Sequence, residues 1–290
     1  MPSDTTIKNG IDLHTHCNPS VFPRKLTVWE MVKEAKENHL GGIVLKSHES
    51  STSDQASVIN MMQSEVHVYG GIVLNEFVGG LNPASVDVAL KMGGKFVWMP
   101  TISSEQHIRY FRGKEGRLFQ GIDDIFHSSK GICLLDKSGK LKPEIYDILH
   151  LIKKYNAVLC SGHISVDELK VLADAAFQEG IEKFLITHPD MDIAPVPIDY
   201  QKELATRGAF LEKCYLAAGS NFKNTSVNQL KKSIDKIGHK HCVLVTDYGQ
   251  SFNIKPIQAM KEFIDTLTGM GITDSQIRTM YVDNPNYLVG

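Results

Sequence analysis

Apolar residues fall into eight short, nearly unbroken runs, at positions 10–16, 42–46, 66–74, 95–100, 157–161, 183–187, 209–213 and 242–246. Runs of this length that are continuous rather than alternating predict parallel strands covered on both faces. The stretches between them carry helix signals. Thr27 with Glu30 and Ser165 with Glu168 have capping-box spacing, and Pro83, Pro143 and Pro256 stand where a first-turn proline belongs. Glycines such as Gly41, Gly93, Gly180, Gly208 and Gly238 sit between a helix and the next strand. This repeated rhythm of strand, loop, helix and glycine predicts a single α/β domain over residues 1–290, a (β/α)8 TIM barrel. An open doubly wound sheet is the rival. It lacks its main support, because neither GxGxxG nor GxxxxGK[ST] follows any strand.

The rhythm breaks once. Residues 102–142, after the fourth strand, are too many for one helix and include a basic, aromatic stretch, Arg109-Tyr110-Phe111-Arg112, and a predicted hairpin over 132–141. Insertions after barrel strands overhang the catalytic face, so this one is expected to form a lid or a subunit contact, and the reading leaves room for a homo-oligomer.

Composition removes several alternatives. Hydrophobic residues at 42% and charged residues at 22% are an ordinary globular mix, and a formal net charge of −2 offers nothing to attract nucleic acid or an anionic membrane. No apolar stretch approaches the ~20 residues of a membrane span, and the start Met1-Pro2-Ser3-Asp4 is too polar for a signal peptide. Five cysteines without CxxC spacing read as reduced thiols of a cytoplasmic protein.

The chemistry gathers at one end of the strands. His14 and His16 are two apart on a strand, so they point the same way and can bind one divalent ion through neutral imidazole nitrogens. The C-terminal strand ends, where barrel enzymes keep their reactive groups, continue with Lys46 and His48, Asn75, Thr101, His163, His188, Glu212 and Asp247. His14, His16, His48, His163, His188 and Asp247 are candidate metal ligands, and Asp247, Lys46 and His188 are candidate catalytic groups. Lys46 has three open readings: an amine that grips a substrate carboxylate, a lysine carbamylated by CO2 into an anionic bridging ligand, or a partner of Asp247. Glu212 either faces the barrel mouth or makes a structural ion pair. Arg24, Lys25, Arg109 and Arg112 are basic residues able to meet an anionic substrate, with Asn75, Thr101 and Glu212 as further contacts. His67, His107, His127, His150, His239 and His241 are expected at the surface or in packing.

With HxH after the first strand, His163 after the fifth, His188 after the sixth and Asp247 after the eighth, the chain resembles the amidohydrolase superfamily of metal-dependent barrels. The closing Asp283-Asn284-Pro285-Asn286-Tyr287-Leu288 looks like the Asn-Pro-x-x-Leu segment that ends many of its members. More closely, Asp12-Leu13-His14-Thr15-His16, Phe22-Pro23-Arg24, Gly42-Ile43-Val44-Leu45-Lys46-Ser47-His48, Gly79-Gly80-Leu81-Asn82-Pro83 and Val97-Trp98-Met99-Pro100-Thr101 resemble a bacterial and archaeal family known by the domain-of-unknown-function label DUF6282. The resemblance implies a hydrolase that activates water on one or two divalent ions, zinc first among them, to cleave an amide, ester, lactone or phosphoester of a small, anionic or neutral substrate. It equally accommodates a mononuclear decarboxylase or hydratase, and a barrel with a structural metal that binds without reacting is the non-enzymatic rival. One departure stands out. Binuclear members carry the bridging lysine or glutamate at the end of the fourth strand, where this chain has Thr101, whereas Lys46 ends the second.

Overall fold

A computed structural model describes residues 7–63, 65–112, 130–219 and 225–290. The strands fall where the apolar runs lie: β1 Ile11–Thr15, β2 Gly42–Leu45, β3 His67–Tyr69, β4 Gly71–Val73, β5 Phe96–Trp98, β6 Val158–Cys160, β7 Phe184–Ile186, β8 Phe210–Cys214 and β9 Cys242–Val245. All pair in parallel, β1-β2-β3 in one ladder and β4 to β9 in another. The ring closes beyond the last strand, where Asp247 N donates to His14 O and His16 N to Tyr248 O, both at 2.9 Å.

The third apolar run is expected as one strand, but it is split into β3 and β4 at Gly70. The cause is Thr52, the N-cap residue of the preceding helix, Ser53–Met62. Its hydroxyl donates to Leu45 O at 2.7 Å and accepts from Gly71 N at 3.0 Å, while its own N–H donates to Gly71 O at 2.9 Å. Thr52 thus replaces one rung of the ladder. A Cβ on Gly70 would lie 2.3 Å from Thr52 O, so the close approach needs a glycine.

Helices alternate with strands as the capping signals require: α1 Val28–Glu37, α2 Ser53–Met62, α3 Pro83–Lys91, α4 Glu105–Phe111, α5 Pro143–Lys154, α6 Val166–Gln178, α7 Ile198–Thr206, α8 Val227–Ile237, α9 Pro256–Gly269, α10 Asp274–Arg278 and α11 Asn284–Val289. Both expected capping boxes form, at Thr27 with Glu30 and at Ser165 with Glu168, and all three prolines occupy first-turn positions. The hairpin forms as well, with Leu135 pairing antiparallel to Leu141. His127 and residues 113–129 of the insertion lie outside the described residues.

Successive strand residues divide between two cores, as the period-two geometry of a strand demands. Phe96, Trp98, Val158, Cys160, Leu185, Phe210, Val243 and Val245 pack together, whereas Val97, Leu159, Ile186 and Leu211 join the layer beneath the helices. Glu212 shares the phase of Phe210. Lys213, one residue on, shares the phase of Leu211 and meets the helix layer instead. Its ammonium is fully buried and donates to Asp190 Oδ2 at 2.7 Å, Gln201 Oε1 at 2.9 Å and Ser233 Oγ at 2.7 Å, tying β8 to α7 and α8. Removing one partner of such an enclosed pair leaves the other charge uncompensated. Lys213→Ala is therefore expected to cost about 3–5 kcal/mol, read by chemical denaturation, and unchanged stability would contradict this role.

Candidate metal centre

At the C-terminal rim, residues far apart in the chain meet. His14 and His16 leave β1; Asp247 follows β9 and adopts a left-handed backbone, φ 56°, that an aspartate or asparagine tolerates better than most residues. His14 Nε2 lies 3.1 Å and His16 Nε2 3.0 Å from Asp247 Oδ1. These three side chains offer ligand atoms all within 4.8 Å of one another, and all three are buried. Gly249 makes the approach possible: a Cβ there would lie 1.9 Å from His16 O.

Each imidazole is held from behind. His14 Nδ1 meets Glu212 Oε2 at 3.2 Å, and His16 Nδ1 meets the Lys46 carbonyl at 2.8 Å. A carbonyl oxygen only accepts, so His16 carries its proton on Nδ1. Burial, then the nearby Arg24 charge, pushes His16 down to about 3, and it is neutral near pH 7. Its Nε2 therefore turns a lone pair toward Asp247. Burial opposes ionisation of Asp247, but the neighbouring His14 outweighs it and holds the carboxyl well below its usual range. Two electron-pair donors 3.0 Å apart, with no proton between them, call for a shared cation. Burial also opposes a charge on His14, yet Asp247 and Glu212 prevail over burial and Lys46 and push it up to about 9. Lys46 Nζ stands 2.9 Å from His14 Nε2, so the amine borders the same point.

His163 and His188 form a second group on the same pocket. Their Nε2 atoms are 3.0 Å apart, near enough for both to bind one ion at the usual ~2.0–2.1 Å. Burial lowers both, His188 to about 4, so neither competes as a cation near neutral pH. Gly162 positions His163 with φ 63°, and a Cβ there would lie 2.2 Å from Met99 O. His188 is itself at φ 26°, its N–H donating to Glu212 Oε2 at 2.9 Å, and its buried Nδ1 has no hydrogen-bond partner among the described residues. His48 lies between the groups, its ring 5.0 Å from that of His16 and 6.3 Å from that of His163.

The pocket is lined by His16, Lys46, His48, His163, His188 and Asp247, together with Arg24, Gln250 and the apolar Phe22, Met191, Ile193 and Leu216. Other expected substrate contacts stand elsewhere. Asn75, Thr101 and Glu212 are fully buried and absent from its walls. Asn75 Nδ2 donates to Thr101 Oγ1 at 2.9 Å, and that hydroxyl meets His48 Nδ1 at 2.9 Å, so the pair orients His48. Glu212 likewise serves His14 and His188, because its inward strand phase buries it beneath them. Arg109 is exposed on α4 and bonded to Gln106; Lys25 and Arg112 are also exposed.

His107, expected at the surface or in packing, is buried with Nδ1 2.8 Å from His163 Nδ1. The helix that carries it docks through Ser104, whose hydroxyl donates to His163 O at 2.8 Å and accepts from His107 N at 3.0 Å. The signal available in the sequence is that N-cap serine, three residues before a histidine.

The parallel ring of strands defines a (β/α)8 barrel with the histidines at its mouth. Solved structures share this fold. The chain is similar to an amidohydrolase from Pseudomonas aeruginosa (10% identity, TM-score 0.65, covering 99% of this chain and 97% of that one). It is also similar to the probable dipeptidase PvdM from the same organism (11%, 0.67, 99% and 96%). A third is 2,6-dihydroxybenzoate decarboxylase from Rhizobium (10%, 0.56, 97% and 98%). At such identities the likeness concerns the fold. No curated protein matches the chain. The chain belongs to DUF6282, a family of unknown function whose model matches residues 9–212. That span holds every candidate site residue except Asp247.

Proposed function

We propose that this protein is a metal-dependent hydrolase that cleaves an amide, ester, lactone or phosphoester bond of a small molecule, with zinc as its divalent ion. The observation that carries the reading is the meeting of His16 Nε2 with Asp247 Oδ1 at 3.0 Å, where two lone pairs face one another. His14, His16 and Asp247 would hold one ion, and His163 with His188 offers ligands to a second. Their chemistry fits, since imidazole and carboxylate suit zinc, and groups behind His14, His16 and His163 fix the ring orientations. A bound divalent ion supplies water activation, lowering the pKa of a coordinated water from ~15.7 to about 7.

The remaining work belongs to side chains. Asp247, ionised because His14 holds its pKa down, takes a proton at an oxygen and returns it to the leaving group. His188 helps polarise the bond under attack. Burial lowers the Lys46 pKa from its ordinary value, which makes the free amine easier to reach. Such an amine would add to CO2 with loss of one proton, giving a carbamate able to serve as an anionic ligand, or, unreacted, it would grip the substrate directly. The five free cysteines suit the reducing cytoplasm, where we place the protein.

A decarboxylase or hydratase is the second reading. It is favoured by Thr101, whose hydroxyl is committed to His48 and Asn75 where a bridging ligand is expected. Metal per chain, followed by turnover of lactones, amides, phosphoesters and carboxylated aromatics, decides between them. Hydrolysis lost to a chelator and restored by zinc supports the first. One ion per chain with CO2 release supports the second. A protein that binds no divalent metal sinks both.

A further inference from the structure

We infer that the pocket selects its substrate by an oxyanion head group, carboxylate or phosphate, which the Arg24 guanidinium receives while the substrate body lies on Phe22, Met191, Ile193 and Leu216. This rests on the reading of the pocket as the active site and adds the substrate class to it.

Among the described residues Arg24 is the only arginine lining the pocket, and it is a placed one. Its backbone pairs antiparallel with Gln250, the following N–H of Lys25 donates to Gly249 O at 2.7 Å, and Asn18 Nδ2 donates to its carbonyl at 3.3 Å. The side chain donates through Nε to Ser20 Oγ at 3.3 Å, and its guanidinium carbon sits 5.3 Å from the Phe22 ring centroid. These contacts hold one edge and one face of the fork. Among the described residues no carboxylate forms an ion pair with it. Glu49 and Asp247 influence it only through space, and Glu49 instead accepts from Val21 N at 2.9 Å.

A half-buried guanidinium without an ion-pair partner is costly, and its terminal nitrogens match a carboxylate or phosphate two bonds at a time. The charges around it point the same way. With Lys46 counted as a neutral amine, Arg24 and a bound divalent ion still outweigh the two carboxylates Asp247 and Glu212, so the occupied pocket carries excess positive charge. An anionic substrate neutralises it. The wall formed by Phe22, Met191, Ile193 and Leu216 then favours an apolar or aromatic body attached to that head group.

The test compares metal-loaded wild type with R24Q, titrated calorimetrically with benzoate, inorganic phosphate and the neutral benzamide. Benzoate or phosphate is expected to bind wild type at least about tenfold more tightly than R24Q, the effect of losing one charge-assisted contact. Benzamide is expected to show no such difference. The anion that loses more affinity names the head group. Equal anion affinity in both proteins, or no anion binding to wild type, overturns the assignment. Should R24Q not fold, R24K keeps the charge without the planar fork and is expected to lose affinity in the same direction. Metal content is measured in parallel. Wild-type metal in R24Q with unchanged anion affinity removes Arg24 alone, whereas a metal-free wild type removes the hydrolase reading.

Discussion

Asp247→Asn is expected to leave the barrel folded while stripping the protein of its metal and its turnover. Asparagine has the same shape and accepts the left-handed backbone at this position, φ 56°, so the strand-end turn survives. It carries no negative charge, and its amide presents one neutral oxygen where the carboxylate presents two charged ones. The cation would then face His14 and His16 without an anion beside them. Supporting partners of metal ligands typically contribute ~10–100-fold in affinity, and a direct ligand is expected to exceed that range. Metal content of the purified variant, with far-ultraviolet circular dichroism as the check on folding, reads the effect. Wild-type metal in a folded Asp247→Asn protein would remove Asp247 from the ligand set.

Glu212→Gln is expected to weaken metal binding about 10–100-fold, the range seen when a supporting partner is lost. Glu212 is fully buried, and the same Oε2 meets His14 Nδ1 at 3.2 Å and accepts from His188 N at 2.9 Å. It therefore orients one ligand from each histidine group. Burial disfavours its charge, but His14 outweighs burial and lowers its pKa below the ordinary value, which keeps an acceptor facing that ring. Glutamine fills the same space without the charge, so packing changes little while the His14 proton loses its anionic partner. Competition against a zinc-responsive dye measures the affinity. An affinity within twofold of wild type would show that Glu212 does not act through the histidines.

Much of this arrangement was legible in the chain. The apolar runs located every strand, and the spacing of His14 and His16, with histidines and an aspartate at later strand ends, located the mouth. Orientation was harder to read. A continuous apolar run does not reveal which residues face inward, so Asn75, Thr101 and Glu212 read as substrate contacts although all three are enclosed beneath the histidines. His107 was missed because it rides on an inserted helix, whose docking depends on tertiary contacts rather than on strand periodicity. The split at Gly70 was hidden for a related reason, since the interrupting group, Thr52, comes from the neighbouring loop. Four basic residues also looked alike in sequence, and only the fold separates Arg24, beside the pocket, from Lys25, Arg109 and Arg112 at the exterior.

The pairing of His16 with Asp247 can be examined directly by anomalous diffraction from crystals of the zinc-loaded protein. A zinc peak in contact with His14 Nε2, His16 Nε2 and an oxygen of Asp247 is the expected result. A refined structure with the Lys46 ammonium filling that point, and zinc bound somewhere else or nowhere, would contradict it.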